Sequence, residues 1–530
     1  MKIGDSDHPD IFALSKIIYL SNNPFYDTIS ANNIKLWIGN DGSCAHDNNY
    51  DGSGLYWPRN SDLTLIFYDG LVWGGKINGK THVCGSTFRS GLRPGATLND
   101  SLSGIWKLKK DWELLPPGEE RKKYEYNYDN WPGESGAPYK DVDNDGQFTR
   151  GVDIPRVLGD EILWFVANDY DTLTSRWIYG TDPIGIEMHS STYAYNTDEL
   201  ADVIFKKYVL VNKSSSEITD MYLGYWSDPD LGFAEDDYVG CDTLLSLGYS
   251  YNGDNNDESG YGINPPAVGY KILQGPVTES EGDSAIFNNR YIPGKKNLPI
   301  SAFHFYIGGS SIWSDPTLGS PDGADQIYRQ MQGKLWDGSP VKDVHTGEPT
   351  RFCLAGDPVA GIGWYEGEGY PGGEDPADRR MLMSSGPFNL AAGGTQEIVI
   401  AFIVARGTSN INSITELKKK ARFVQEFYDQ QLLTDVEDHK VTPVAYELCQ
   451  NYPNPFNPST TIVYSVPEKT NVELSIYNVL GEKVTTLVNE EKPAGEYKIN
   501  FNAISFASGV YYYRLRTEDY ISTRKMLLVK

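Results

Sequence analysis

The chain has 530 residues, with 46 Lys and Arg against 72 Asp and Glu, and a formal net charge of −26. A single hydrophobic core stops growing near ~250–300 residues, so several domains are expected, and a chain this acidic is repelled by a phosphate backbone, which argues against nucleic acid as a partner. Five cysteines (Cys44, Cys84, Cys241, Cys353, Cys449) are too few, and odd in number, for a disulfide scaffold; Cys44 and Cys84 share the N-terminal region and are the pair to test first.

Tyrosine is abundant, and 53 Gly and 30 Pro are spread along the chain as turn punctuation, which predicts a mainly β protein of several sandwich-like domains. The first residues, around Ile17-Ile18-Tyr19-Leu20, are too short and polar for a signal-peptide core, so the signal peptide is expected to have been removed or to lie upstream of Met1. No run of about 18 apolar residues exists, and no transmembrane helix is expected. Residues 1–115 read as a β-rich region, with strands at Ile34–Ile38 and Leu63–Tyr68. The polar, Pro/Gly-rich stretch 116–160 reads as a loop or connector.

A β-rich body follows over 161–433, with strands at Glu161–Ala167, Ile204–Val211, Met221–Trp226 and Ala302–Tyr306. The continuous apolar run Ile398–Ala405 reads as a strand buried on both faces. One helix near 413–433 closes the body: Ser413-Ile414-Thr415-Glu416 has the form of a capping box, and Ile414, Leu417, Ala421, Val424 and Tyr428 recur at helical spacing. Residues 434–445 read as a linker.

From 446 to 530 the composition changes. This segment holds nine Lys and Arg and nine Asp and Glu, so the whole negative excess lies before it. Three prolines within Tyr452-Pro453-Asn454-Pro455-Phe456-Asn457-Pro458 force an extended opening. Alternating strands then follow, with turns at Gly481 and Gly495, and their pattern predicts a small Ig-like β-sandwich. The opening Tyr452 to Phe456, Ile476–Gly481, Ala494–Tyr497, Ser508–Tyr511 and the ending around Lys525 occur in the order of the type A sorting domain of type IX secretion, which this segment resembles. The resemblance implies a Gram-negative source and export to the outer-membrane surface or the exterior. It also implies handling by the type IX machinery and a sortase-like peptidase, after which the body is released or attached to surface lipopolysaccharide. Tyr452, Pro453, Asn454, Pro455, Phe456, Gly481, Gly495, Gly509, Tyr511 and Lys525 carry the motif.

Two acidic constellations stand out in the body. Asp141, Asp143 and Asp145 alternate before Gly146, so three carboxylates can converge while Gln147 offers its backbone carbonyl; Asp153 follows near the twelfth position, where an EF-hand has glutamate. This spacing points to calcium, with a solvated acidic turn as the alternative. A second group, Asp228, Asp230, Asp236 and Asp237 with Asp242 beyond, crowds like charges that a cation would relieve. Asp254, Asp257 and Glu258 read as a solvated loop.

Gly133-Glu134-Ser135-Gly136 has the glycine-flanked serine of a nucleophile, but no recognisable motif surrounds His82 or His189. No catalytic residue is assigned and an enzyme is not the leading reading. The body resembles, loosely, β-rich cargo proteins of the same pathway. The expectation is therefore a secreted or cell-surface structural or interaction protein, an adhesin or a component of an extracellular layer or filament, with self-association open. A secreted hydrolase acting on glycans or peptides is the alternative, since paired carboxylates leave little trace in sequence.

Overall fold

The computed structural model describes residues 25–97, 102–143, 145–435 and 446–529. Ile17–Leu20 and the 436–445 part of the expected linker lie outside the described residues.

The protein is mainly β, as its alternation predicts. Two large antiparallel sheets face each other. The first runs in the order Tyr26–Ile29, Lys35–Gly39, Leu55–Tyr56, Thr64–Ile77, Ile218–Pro229, Arg379–Leu390, Ala302–Ile307, with Lys80–Gly85 also paired to Thr64–Ile77. The second runs Asp237–Asp242, Leu247–Asn252, Ala267–Gln274, Thr395–Ala405, Val203–Asn212, Ile186–Ala194, Glu161–Asn168, Arg93–Pro94, with Trp106–Lys109 also on Glu161–Asn168. Each sheet takes strands from both sides of the 116–160 segment. The expected separation of a 1–115 region from a 161–433 body is therefore not how the strands pair: one interleaved sandwich spans both.

The period-two rule explains how the second sheet is buried on both faces. Ile398, Ile400, Phe402 and Val404 enter the core between the sheets, while Val399, Ala401, Ile403 and Ala405 enter an outer core beneath the helix Asn410–Asp435. In the same way Leu163, Phe165 and Ala167 face inward, and Ile162, Trp164 and Val166 face outward. Each fully buried side chain of this size contributes about 1.5–3 kcal/mol, which makes the doubly buried strands the main source of stability. A second helix, Pro321–Met331, covers the first sheet through Ala324, Ile327, Tyr328 and Met331. It sits close because Gly74 has no side chain; a Cβ there would come within 2.9 Å of the Tyr328 ring. The layers are thus helix, sheet, sheet, helix.

Three local expectations need correction. The closing helix begins at Asn410, one turn before the expected capping box. Ser409 Oγ accepts the Asn412 N–H at 3.0 Å, while Ser413 is turned inward, accepting from Gly407 N–H and donating to the Pro265 carbonyl. Glu416 pairs with Lys419 instead of reaching back. The 116–160 segment contains a helix, Glu119–Asp129, that reads as a loop because only Tyr124 and Asn127 are buried and no apolar stripe exists; the acids Glu119 and Glu120 stabilise its first turn. Finally, Cys44 and Cys84 are both buried and form no disulfide with each other.

Residues 446–529 form a separate small sandwich. Lys483–Lys492, Thr470–Tyr477, Gly509–Arg516 and Ile521–Leu528 make one sheet; Glu447–Leu448, Ser459–Val466 and Gly495–Asn502 make the other. Their shared core includes Ile462, Tyr464, Leu474, Tyr513, Leu515 and Leu528.

Candidate functional site

The Asp141–Gly146 loop joins two short paired strands, Tyr139–Lys140 and Ile154–Pro155. Asp141 Oδ2 accepts the Gly146 N–H at 2.9 Å and Asp145 Oδ1 accepts the Gln147 N–H at 2.7 Å, which folds the chain back on itself. Gly146 has φ +80°, a conformation that only glycine adopts without strain. One oxygen from each of Asp141, Asp143 and Asp145 lies within 4.8 Å of the others. Asp141 Oδ1 is buried and has no hydrogen-bond partner. Partial desolvation, then the neighbouring Asp145, raises the Asp143 carboxyl above its usual range. Asp153 does not join the trio. Its two oxygens accept the Val142 N–H at 2.8 Å and the Thr149 N–H at 2.6 Å, so it staples the ends of the loop. Gln147 serves the loop through its N–H.

The second cluster comes together across much larger distances in sequence. Asp228 ends the Ile218–Pro229 strand, Asp230 follows it, and Asp378 precedes the Arg379–Leu390 strand; one oxygen of each lies within 4.8 Å of the others. Arg380 is the cation at its centre, with Nε 3.3 Å from Asp228 Oδ1, one terminal nitrogen 3.1 Å from Asp315 Oδ2 and the other 2.5 Å from Asp378 Oδ2. The Asp228 contact is an ion pair without hydrogen-bond alignment, and Asp378 Oδ1 is likewise buried without a hydrogen-bond partner. One guanidinium faces four carboxylates, and three of them, Asp228, Asp230 and Asp315, are raised. Burial pushes Asp230 up to about 7, reinforced by Asp378, and burial raises Asp228 well above the carboxylate range against the pull of Arg380. Burial also raises Asp315. Asp315 lines a small hollow with Phe88, Trp226 and Tyr306.

Of the residues expected at this cluster, Asp228 and Asp230 meet, whereas Asp236 and Asp237 do not join them. Asp237 is fully buried and accepts the Leu231 N–H at 3.0 Å; Asp236 sits beside Asn252 and Asp257. Asp242 pairs with Lys418 at 3.2 Å. Asp257, expected in a solvated loop, is buried and accepts the N–H groups of Phe233 and Tyr261. Asp378, Asp315 and Arg380 are the members that sequence reasoning missed. No spacing could have revealed them.

The glycine-flanked serine has company in space. A Cβ on Gly136 would come within 2.5 Å of His189 Nδ1, and His189 Nε2 lies 2.9 Å from Glu187 Oε1. Among the described residues no hydrogen bond joins Ser135 to His189, so the chain of contacts needed to activate a serine is not assembled there.

In the C-terminal sandwich the motif residues are physically connected. The opening segment lies along the last strand: Phe456 N–H donates to the Leu527 carbonyl at 2.9 Å, and the Asn454 side chain accepts the Leu527 N–H at 2.8 Å. Gln450 donates to the Lys525 carbonyl, and the Pro453 carbonyl accepts from Thr460. Pro455 lies between these anchors, and Phe456 is buried in the shared core. Tyr452 packs against the outer core of the body. Gly481 makes its turn at φ +79°, Gly495 and Gly509 begin strands, and Tyr511 pairs with Met526 on the last strand. The opening and closing segments of the motif therefore hold the first and last parts of this fold together, while Gly481 shapes a turn and Gly495 begins a strand.

No helix among the described residues is long and apolar enough to cross a membrane. No curated protein matches the chain. Among solved structures, a polysaccharide lyase aligns with 65% of this chain and 34% of its own length, at 7% identity and a TM-score of 0.19. The chain spans about a third of that protein, and so faint a likeness says nothing of activity. Residues 450–530 match the family described as the secretion system C-terminal sorting domain. The chain therefore ends in a type IX secretion sorting domain and is a secreted cargo protein, exported to the cell surface or the extracellular space.

Proposed function

We propose that the body is a structural or interaction protein of the cell surface, an adhesin or a component of an extracellular layer or filament, and that calcium rigidifies its Asp141–Asp145 loop. The observation that supports this reading is the joining of a sorting domain to an interleaved two-sheet body braced by buried charges, as in the pair of Arg379, at the start of a strand, with Glu366 in a loop at 3.1 Å. The calcium reading rests on three converging carboxylates and the unpartnered Asp141 Oδ1. Calcium takes six to eight oxygens, so waters or backbone carbonyls would complete the shell. The sortase-like peptidase would separate the body from its tail after export.

Deleting the body while keeping the tail should abolish attachment or layer formation and leave glycan and peptide breakdown by the secreted fraction unchanged. Hydrolysis of a glycan or peptide by the purified body would overturn the reading. One observation favours that second possibility: carboxyls with raised pKa concentrate in active sites, and Asp230 beside Asp228 and Asp378 is raised. Under the hydrolase reading Asp230→Asn would abolish the activity.

A further inference from the structure

The most completely buried charged pair in the sandwich lies between the two sheets. Asp69, on the strand Thr64–Ile77 of the first sheet, and Lys206, on the strand Val203–Asn212 of the second, both have fully inaccessible side chains. Lys206 Nζ stands 2.7 Å from Asp69 Oδ1 and 2.9 Å from Oδ2, nearly equidistant from both oxygens and hence close to the carboxyl carbon. Two phenols complete the group. Tyr225 accepts from Lys206 Nζ at 2.7 Å and donates to Asp69 Oδ1 at 2.8 Å, and Tyr270 donates to Asp69 Oδ2 at 2.6 Å. The surroundings are apolar and aromatic, including Leu71, Ile204, Tyr208 and Phe402.

Amide formation requires that the ammonium proton pass to the carboxylate, leaving a neutral amine against a neutral carboxylic acid. Tyr225 is placed to relay it, since its oxygen receives from Nζ while its O–H points to Oδ1. Holding two reactants at this separation corresponds to effective molarities of about 10⁵–10⁸ M.

We propose that Lys206 and Asp69 condense to an intramolecular amide bond that locks the two sheets together covalently. The Nζ lone pair attacks Cγ of Asp69, forming the N–C bond. Tyr270 hydrogen-bonds the oxygen that gains charge, in the manner of an oxyanion donor. The other oxygen, protonated through Tyr225, leaves as water as the C–O bond breaks and the nitrogen loses its remaining extra proton to that leaving group. One amine and one acid give one amide and one water, with no oxidant or co-reactant. The bond stands whether the body adheres or hydrolyses. It would give this exported chain a covalent brace between its two sheets that involves no cysteine.

The test is the mass of the whole chain after denaturation. The unmutated protein is expected one water lighter than its sequence mass, and its digest should contain a branched peptide joining the segments around Asp69 and Lys206. Lys206→Arg and Asp69→Ala should restore the full mass, and Tyr225→Phe should leave a fraction unlinked. Full sequence mass with separate peptides in the unmutated protein would overturn the proposal, and this reading does not depend on any variant folding. Complete condensation in Tyr225→Phe would overturn the relay.

Discussion

The Asp141–Asp145 loop draws three carboxylates from five consecutive residues and leaves two of them exposed, whereas the Asp228 cluster gathers Asp228, Asp230, Asp315 and Asp378 from distant strands and loops around Arg380. The first is half exposed and open to a cation from the medium. The second carries an internal cation but too little of it, and Asp228, Asp230 and Asp315 are raised above the usual carboxylate range. Two clusters of the same residue type should therefore respond to different solution variables: the first to divalent cations, the second to pH.

The largest expected effect breaks the second cluster. Arg380→Met removes the one positive charge from between Asp228, Asp315 and Asp378, and removing one partner of a buried ion pair costs about 3–5 kcal/mol. Chemical denaturation should register this as a lower midpoint, while the same substitution should leave the calcium response of the Asp141 loop intact.

An effect of intermediate size concerns pH. Asp230 titrates at about 7 in the folded protein and near ~3.9 when unfolded. Between those values the folded state binds more protons than the unfolded state, so this group's stabilising contribution is present at low pH and is lost as pH rises towards about 7. Melting temperature measured across that window should fall with rising pH at this cluster, and Asp230→Asn should flatten the fall. An unchanged slope in the variant would remove Asp230 from the account.

The smallest of these effects belongs to the loop. If calcium binds only the native state, it adds about 2.7 kcal/mol when present a hundredfold above Kd, and weak extracellular sites have Kd of roughly 10⁻⁴–10⁻³ M. A chelator should lower the melting temperature, and Asp143→Ala should remove most of that sensitivity without disturbing Gly146. Indifference of the unmutated protein to chelator would leave only an acidic turn.

The two clusters also show what a sequence can and cannot disclose. Asp141, Asp143 and Asp145 were legible because their partnership is local, and the doubly buried Ile398–Ala405 strand was legible because burial on two faces erases alternation. The C-terminal domain was legible because its opening and its last strand bind each other and so keep a recognisable order. The helix Glu119–Asp129 was not, because few of its side chains are buried and it shows no apolar period. Asp378 was hidden by the roughly 150 residues between it and Asp228, and Lys206 by its place beside Lys207 in a mostly apolar strand, where nothing marks which of the two charges is buried.

The most direct test of the account is where the protein goes when its last two strands are removed. Deleting Gly509–Lys530 takes Tyr513, Leu515, Met526 and Leu528 from the core of the sorting domain and the last strand from its contacts with Phe456 and Asn454. Fractionated cells should then hold the truncated chain in the periplasm, with none at the surface or in the medium; its undiminished appearance outside the cell would contradict export through this domain.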